Sequence, residues 1–155
     1  MTNYDIPVRM DFDAHAPRFS KVMNTLDAAS RQGDLDKGLA ELVRIHASQI
    51  NGCAYCVDMH TKDARAAGET EQRIYALPVW RETPYFTEAE RAALALTEAV
   101  TVLTDGFVPE DVYAEAAKHF GDATLAQLIS VLVMINAWNR IGVATRAWTP
   151  GSYQP

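Results

Sequence analysis

The sequence predicts an all-α protein of about six to seven helices, in which a C-x-x-C pair begins one of the core helices. Apolar residues recur every three or four positions through most of the chain, and no segment has the strict alternation of a half-buried strand. Glycine, proline or a capping residue separates the apolar segments. The 155 residues, 48% of them hydrophobic and 22% charged, fit one globular domain, which we expect over residues 1–155.

The first four helices each end at a residue that suits a helix exit. The first is predicted over 19–29 and stops before Gly33, and the second over 34–51. Asn51-Gly52 ends the second because both residues tolerate the left-handed conformation. The third is predicted over 53–67 with Gly68 as its cap, and a short fourth helix over 71–77 halts at Pro78. The apolar stripe of the first helix comprises Phe19, Val22, Met23 and Leu26.

Three further helices follow a loop predicted over 79–86. Thr87-Glu88-Ala89-Glu90 has the form of a capping box and opens a helix that reaches about Thr104. Pro109 suits the first position of the next helix, which ends near Phe120-Gly121. The last and most apolar helix is predicted over 122–148, and an irregular tail follows it over 150–155.

Charge and patterning exclude several classes of protein. The net charge of -6 offers no basic patch for nucleic acid. The first thirteen residues lack the basic start and apolar run of a secretory signal, and the apolar run Leu125–Trp138 is too short to cross a bilayer. We therefore expect a cytoplasmic protein without membrane or nucleic-acid partners. In a reducing compartment a close cysteine pair is more often catalytic or metal-binding than structural.

The chemistry is expected at Cys53, Cys56 and His60, which share one face of the third helix. Cys56 and His60 are neighbours at i and i+4, so the imidazole can take the thiol proton. Glu41 lies on the preceding helix and could approach His60 if the two helices pack antiparallel about Asn51-Gly52. A carboxylate there would orient the imidazole and stabilise its cation.

The residues alone leave open which sulfur is the nucleophile. The positive end of the helix dipole favours a thiolate at Cys53, the more N-terminal of the two. The i+4 histidine favours Cys56 instead. The other cysteine would then condense with a sulfenic acid before it is oxidised further.

The spacing of Glu41, Cys53, Cys56 and His60, written E-x11-C-x2-C-x3-H, resembles that of the AhpD-like alkylhydroperoxidases of the carboxymuconolactone decarboxylase superfamily. Further similarity lies at residues 66–68, 86–100 and 135–140, and the resemblance covers about 16–148. It implies an all-α peroxidase without a cofactor, assembled as a homo-oligomer, either a trimer or a hexamer. It further implies that Cys56 attacks a hydroperoxide, that Cys53 resolves, that Glu41 and His60 relay protons, and that an unidentified thiol or dithiol is the reductant.

One position departs from the family. The family's usual histidine before the second cysteine is replaced by Tyr55, which the helical wheel turns away from the thiol face. A relay through that histidine is therefore absent or altered.

Other interpretations remain beside the peroxidase. Cys53, Cys56 and His60, with or without His46, could bind zinc in an interaction or redox-sensing module, although His46 is better explained by packing. A cofactor-free decarboxylase of the same superfamily is the alternative enzyme. Haem attachment is excluded because Val57 follows Cys56. Three residues of the last helix are expected to line a pocket or interface, or to pair inside the core: Trp138, Asn139 and Arg140.

Overall fold

A computed structural model describes residues 6–155, and within that range the chain forms eight α-helices and one 3-10 segment. The α-helices are α1 (Phe12–His15), α2 (Pro17–Ser30), α3 (Lys37–Asn51), α4 (Ala54–Ala66), α5 (Glu71–Ala76), α6 (Glu88–Thr101), α7 (Glu110–His119) and α8 (Asp122–Thr145), and the 3-10 segment is Leu77–Glu82. The predicted all-α class is confirmed. The short α1 was not predicted, and the 3-10 segment occupies part of the predicted loop.

The helix ends follow from local chemistry. The side chain of Asp36 accepts a hydrogen bond from the backbone N–H of Leu39 (2.8 Å) and so starts α3 three residues later than predicted. Thr87 and Glu90 form the predicted capping box of α6. The end of α8 falls at Thr145 rather than near Trp148, because Arg146 takes a left-handed conformation with φ 52°.

The core is organised around α3, which packs against α4, α6 and α8. Leu42, Val43 and Ile45 on this helix are fully buried. Two apolar clusters meet there. The first joins α3 to α6, α7 and α8, and the second joins α3 to α4, α5, α6 and the 3-10 segment. Because α3 contributes to both clusters, its position is fixed on several sides, and so are the polar side chains that it carries.

An amide network ties the C-terminal end of α3 to α8. Asn51 donates to the side-chain oxygens of Asn136 (3.0 Å) and Asn139 (2.9 Å). Asn139 is fully buried and donates to Ser48 Oγ (3.0 Å). The predicted polar pairing within the core therefore holds for Asn139. By length and composition α8 could cross a membrane, and half of its most apolar window is buried in this fold.

The apolar stripe of α2 does not lie in the core. Met23 is buried, but Phe19, Val22 and Leu26 are each more than half exposed. The periodicity predicted the helix and did not specify what the stripe packs against. In this chain α2 packs against α8 and the short α1, where the ring of Phe19 lies 5.9 Å from that of Phe12, and these contacts leave much of the stripe exposed.

Candidate functional site

The sulfur pair is positioned by the tight turn between α3 and α4. Gly52 has φ 69°, and the backbone N–H of Cys53 donates to the carbonyl oxygen of Ser48 (3.0 Å), which reverses the chain. Cys53 is the N-cap of α4, and its sulfur accepts from the backbone N–H of Cys56 (3.4 Å). The first turn of α4 thus brings the two sulfurs together, and they form a disulfide of 2.06 Å.

Both cysteines belong to the core rather than to the surface. Cys53 is 2% exposed and Cys56 is 3% exposed, and they pack with Ala47 of α3 and Ile135 of α8. The predicted inward face of α4 therefore agrees with the structure at both sulfurs and at His60, which is also buried. Reagents can reach the sulfurs only through openings between the helices.

Glu41 lies directly against His60, as the antiparallel packing of α3 and α4 requires. The Nδ1 of His60 is 2.8 Å from Oε2 of Glu41. The other carboxylate oxygen, Oε1, accepts from Nη1 of Arg44 at 2.5 Å, and Arg44 is itself buried. The carboxylate is therefore held from two sides. The guanidinium of Arg44 lies one turn further along α3, and the imidazole of His60 lies on the neighbouring helix α4.

These contacts set the protonation of the pair. Burial alone would raise the pKa of Glu41, but the hydrogen bond and charge of His60 and those of Arg44 outweigh burial and hold the pKa below its usual value. An ionised Glu41 can only accept, so the Nδ1–H of His60 donates to it. In the neutral ring Nε2 then carries the lone pair, which is the form needed to take a proton from a thiol.

A pocket of about 260 Å³ opens onto Cys56 and His60. One part of its wall is apolar or aromatic and consists of Tyr55, Met59, Ile135, Trp138 and Trp148. The other part is polar or charged and consists of Asp13, Asn24, Asp27, Arg31 and Arg44. The pocket thus offers an apolar surface next to the sulfur and charged groups at the rim supplied by α1, α2 and α3.

The structure corrects the prediction that Tyr55 points away from the thiols. Its ring lies 5.7 Å from that of Trp148, and Trp148 in turn lies 5.8 Å from Trp138. Tyr55 is half-buried and lines the pocket beside Cys56. The helical wheel was misleading because the tail after α8 folds back over the start of α4. An outward-facing residue of α4 thereby becomes part of the pocket wall.

A second cleft of about 310 Å³ reaches the other sulfur. It is lined by Cys53, Gly52 and residues at the end of α8, with Tyr55 and Trp148 shared between the two openings. Gly142 of α8 comes so close that a Cβ there would lie 3.1 Å from Sγ of Cys53. Each sulfur is therefore approached from its own side.

His46 does not join the other predicted zinc ligands, which are Cys53, Cys56 and His60. His46 bonds instead to Glu98 of α6, with Nε2 and Oε1 2.9 Å apart. Within residues 6–155 the one cluster of at least three potential ligands is Glu41, His60 and Asp63. Its carboxylates are already engaged, since Glu41 contacts His60 and Arg44 while Asp63 accepts from the hydroxyl of Tyr153 (2.7 Å).

Sequence reasoning did not single out Arg44 or Trp148. Arg44 follows Glu41 by three positions and stands in an otherwise apolar stretch of α3, a pattern that predicts a buried ion pair. Trp148 carried no such signal, because its place over α4 depends on where α8 ends. Trp138 was expected to line a pocket or an interface, and it lines the pocket at Cys56.

Comparison with known proteins places these residues in a family. The model of the carboxymuconolactone decarboxylase family matches residues 17–99. The uncharacterized protein YdfG of Bacillus subtilis is 39% identical over 136 residues, covering 88% of this chain and 92% of that protein. An Agrobacterium tumefaciens protein of unknown function, which has been suggested to be the antioxidant defence protein AhpD, has a TM-score of 0.89 and 36% identity over 93% of this chain and 99% of its own.

A more distant structure shares the fold. A debrominase, crystallised as a cysteine-to-alanine variant with 2,3,4-tribromopyrrole, has a TM-score of 0.78 at 17% identity, over 87% of this chain and 72% of its own.

Proposed function

Because the chain belongs to the carboxymuconolactone decarboxylase family and is AhpD-like, we propose that it is a thiol-dependent peroxidase that reduces hydroperoxides through the Cys53–Cys56 pair. The observation that carries the proposal is the contact of 2.8 Å between Glu41 and His60 beside a disulfide that opens onto a pocket. A redox-active sulfur pair with an imidazole and an ionised carboxylate is the set of groups that peroxide reduction by a thiol requires.

In the first step Cys56 is the nucleophile. Nε2 of His60 takes the Cys56 thiol proton, and the thiolate attacks the outer oxygen of the hydroperoxide. The O–O bond breaks, the sulfur becomes a sulfenic acid, and the proton held by His60 passes to the departing alkoxide to give an alcohol. Glu41 stabilises the imidazolium that forms between these two transfers. The choice of Cys56 rests on the pocket, which contains Cys56 and His60 together.

In the second step the Cys53 thiol attacks the sulfenic sulfur of Cys56. The disulfide forms, and the thiol hydrogen and the sulfenic hydroxyl leave together as one molecule of water. A thiol or dithiol reductant then restores the pair by exchange and leaves as its own disulfide. The proposed location in a reducing cytoplasm would supply such a reductant.

The pocket favours an organic hydroperoxide over hydrogen peroxide. Its aromatic wall, formed by Tyr55, Trp138 and Trp148, gives an apolar substrate body a surface to cover next to the sulfur. Hydrogen peroxide has no apolar body and gains nothing from this wall. Burial of an aromatic group there corresponds to a preference of about tenfold or more.

The test is a titration of the reduced protein with cumene hydroperoxide and with hydrogen peroxide. Thiol loss is followed in real time, and intact mass identifies the products. We expect the wild type to form an intramolecular disulfide with one equivalent, Cys53→Ser to stop at the sulfenic acid, and Cys56→Ser to be inert. Equal reactivity of the Cys56→Ser protein and the wild type would contradict the proposal.

A second candidate reaction uses the same sulfur pair on a different substrate. The aromatic wall beside Cys56 would also accept a flat halogenated ring, and the fold is shared with a debrominase. In that reaction the dithiol supplies two electrons, a carbon–bromine bond is replaced by carbon–hydrogen, and bromide leaves as the disulfide forms. Bromide release from a bromopyrrole by the reduced protein, without reaction with cumene hydroperoxide, would favour this candidate.

The remaining alternatives from the sequence have their own tests. A decarboxylase of the family would release carbon dioxide from a carboxymuconolactone equally well in Cys56→Ser, because that reaction needs no redox-active sulfur. A zinc-dependent module would retain one zinc ion per chain after purification under reducing conditions.

We also propose that the chain forms the homo-oligomer expected from the sequence, through the α2 stripe. Leu26 and Val133 line an apolar groove between α2 and α8 whose lining residues carry no charge, as a contact between identical copies favours. In light scattering after gel filtration, Leu26→Glu should lower the assembly mass. Ala28→Glu, exposed on the opposite side of α2, should leave it unchanged.

A further inference from the structure

A cleft separate from the sulfur site lies on another face of α3. It measures about 590 Å³ and is enclosed by α3, α6, the 3-10 segment and the loop that leads into α7. Much of its wall is apolar, with Ile50, Pro78, Val102, Phe107 and Val112 as the larger contributors. None of the residues of the pocket at Cys56 lines it. The proposed peroxidase chemistry makes no use of this cleft.

The carboxylate of Glu98, which lines the cleft, already has partners within the protein. The carboxylate of Glu98 accepts from Trp80 Nε1 (2.8 Å), contacts Arg81 Nη1 (2.6 Å) and accepts from His46 Nε2 (2.9 Å). Three donors leave the carboxylate little capacity for a further partner. Glu98 therefore serves to fix the His46 ring, because an ionised carboxylate can only accept and so keeps the proton on Nε2.

Two polar atoms on residues that line the cleft lack partners, and both atoms are themselves buried. His46 is 4% exposed, and within residues 6–155 neither its Nδ1 nor Oε1 of Gln49 has a hydrogen-bond partner. The two residues are three positions apart on α3 and both line the cleft. With the proton on Nε2, Nδ1 carries a lone pair and is an acceptor, as is the amide oxygen of Gln49. Leaving such groups buried and unpaired is unfavourable, so neighbouring acceptors of this kind call for a donor.

We propose that this cleft is a second ligand site, for a small apolar molecule that ends in a hydroxyl or amine and carries no negative charge. The donor group binds between His46 Nδ1 and the Gln49 amide, and the apolar body lies against Ile50, Val102 and Phe107. Asp105 at the edge of the cleft and the saturated Glu98 both disfavour an anion. The ligand is recognised without any contact to Cys53 or Cys56, so the site works in the disulfide form of the protein.

The test compares 4-methylphenol with 4-methylanisole, two probes with the same ring, of which only the phenol has a donor. The chain has four histidines, so the ring nitrogens of His46 and His60 can be assigned separately by ¹⁵N NMR. We expect 4-methylphenol to shift the Nδ1 resonance of His46 and not the resonances of His60. Its affinity should exceed that of 4-methylanisole by about fivefold, as one net hydrogen bond provides.

Variants separate binding from folding. His46→Phe should abolish the preference for the phenol, and Gln49→Leu, at a partly exposed position, should reduce it even if His46→Phe fails to fold. Equal affinities for the two probes in the wild type, or an unchanged His46 resonance, would overturn the proposal. A resonance that moved with protein concentration rather than with 4-methylphenol would assign the cleft to a second copy and overturn it as well. These readouts use the oxidised protein, so they do not depend on the peroxidase proposal.

Discussion

Two buried histidines, His46 and His60, are each paired with a glutamate, and one member of each pair lies on α3; the pairs differ in which ring nitrogen is engaged. In the pair beside the disulfide, Glu41 bonds to Nδ1 of His60. In the pair beside the apolar cleft, Glu98 bonds to Nε2 of His46. The distances, 2.8 and 2.9 Å, are nearly equal. Geometry within the pair therefore does not distinguish them.

What surrounds each pair does distinguish them. His60 shares its pocket with Cys56, and under the proposed function its remaining nitrogen exchanges a proton with the sulfur. The remaining nitrogen of His46 has no hydrogen-bond partner within residues 6–155, and the residue lines a largely apolar cleft. Under the proposed function, the group beside the imidazole decides the chemistry of each pair, and this group is a sulfur for His60 and an apolar cleft for His46.

The largest expected difference is between His60→Gln and His46→Gln. Removing the imidazole beside Cys56 should slow thiol oxidation by cumene hydroperoxide by about 10²-fold to 10⁴-fold, the usual contribution of a positioned acid–base group. His46→Gln should leave the rate unchanged. Stopped-flow measurement of thiol loss checks both, and equal rates for the two variants would remove the functional distinction between the pairs.

The carboxylates should show the same contrast on a smaller scale. Glu41→Gln keeps the imidazole but removes the charge that stabilises its cation, so we expect thiol oxidation to slow by about 10²-fold. Glu98→Gln is the matched change in the other pair and should have no effect on this rate. A Glu41→Gln protein as fast as the wild type would mean that the carboxylate is structural.

Both pairs depend on a fixed α3, which the amide network secures. Asn139→Ala removes one of the two acceptors of Asn51 and the amide donor to Ser48 Oγ, and should lower the free energy of unfolding by about 1–3 kcal/mol. Urea denaturation measures this. Ser130→Ala, on an exposed position of the same helix, is the control and should change little.

The smallest effect concerns pH. Hydrogen bonds from His46 and Trp80 and contact with Arg81 outweigh the opposing effect of burial and lower the pKa of Glu98 to about 2, from an ordinary 4.5. A carboxyl whose pKa is lowered on folding adds stability above its unfolded value, and this stability is lost as the pH falls from about 4.5 towards 2. Unfolding midpoints in urea should decline more steeply over this range in the wild type than in Glu98→Gln.

The sequence predicted those parts of the molecule that depend on short spacings. Cys53, Cys56 and His60 lie within eight residues of one helix, so a wheel places them on one face. The turn at Gly52 then brings Glu41 back against His60, because two helices joined by so short a turn must pack antiparallel. Helix positions were predicted to within a few residues for the same local reasons.

Features that depend on distant packing were not predictable in this way. His46 and Glu98 are 52 positions apart, and neither has a local partner that would indicate their contact. The outward placement of Tyr55 was wrong because a wheel describes one helix and omits the tail that covers it. The exposure of Leu26 is likewise a property of the neighbours of α2 and not of its own sequence.

Because the two sulfurs lie inside the core, the redox state of the cysteine pair is linked to the packing around it. Reduction separates two atoms that pack with Ala47 and Ile135, so the dithiol and disulfide forms differ in internal packing as well as in covalent bonding. A substitution that loosens this packing will stabilise one form relative to the other. The midpoint potential is therefore as much a property of the helix bundle as of the two cysteines, and repacking around Ile135 is a way to tune it without touching a reactive group.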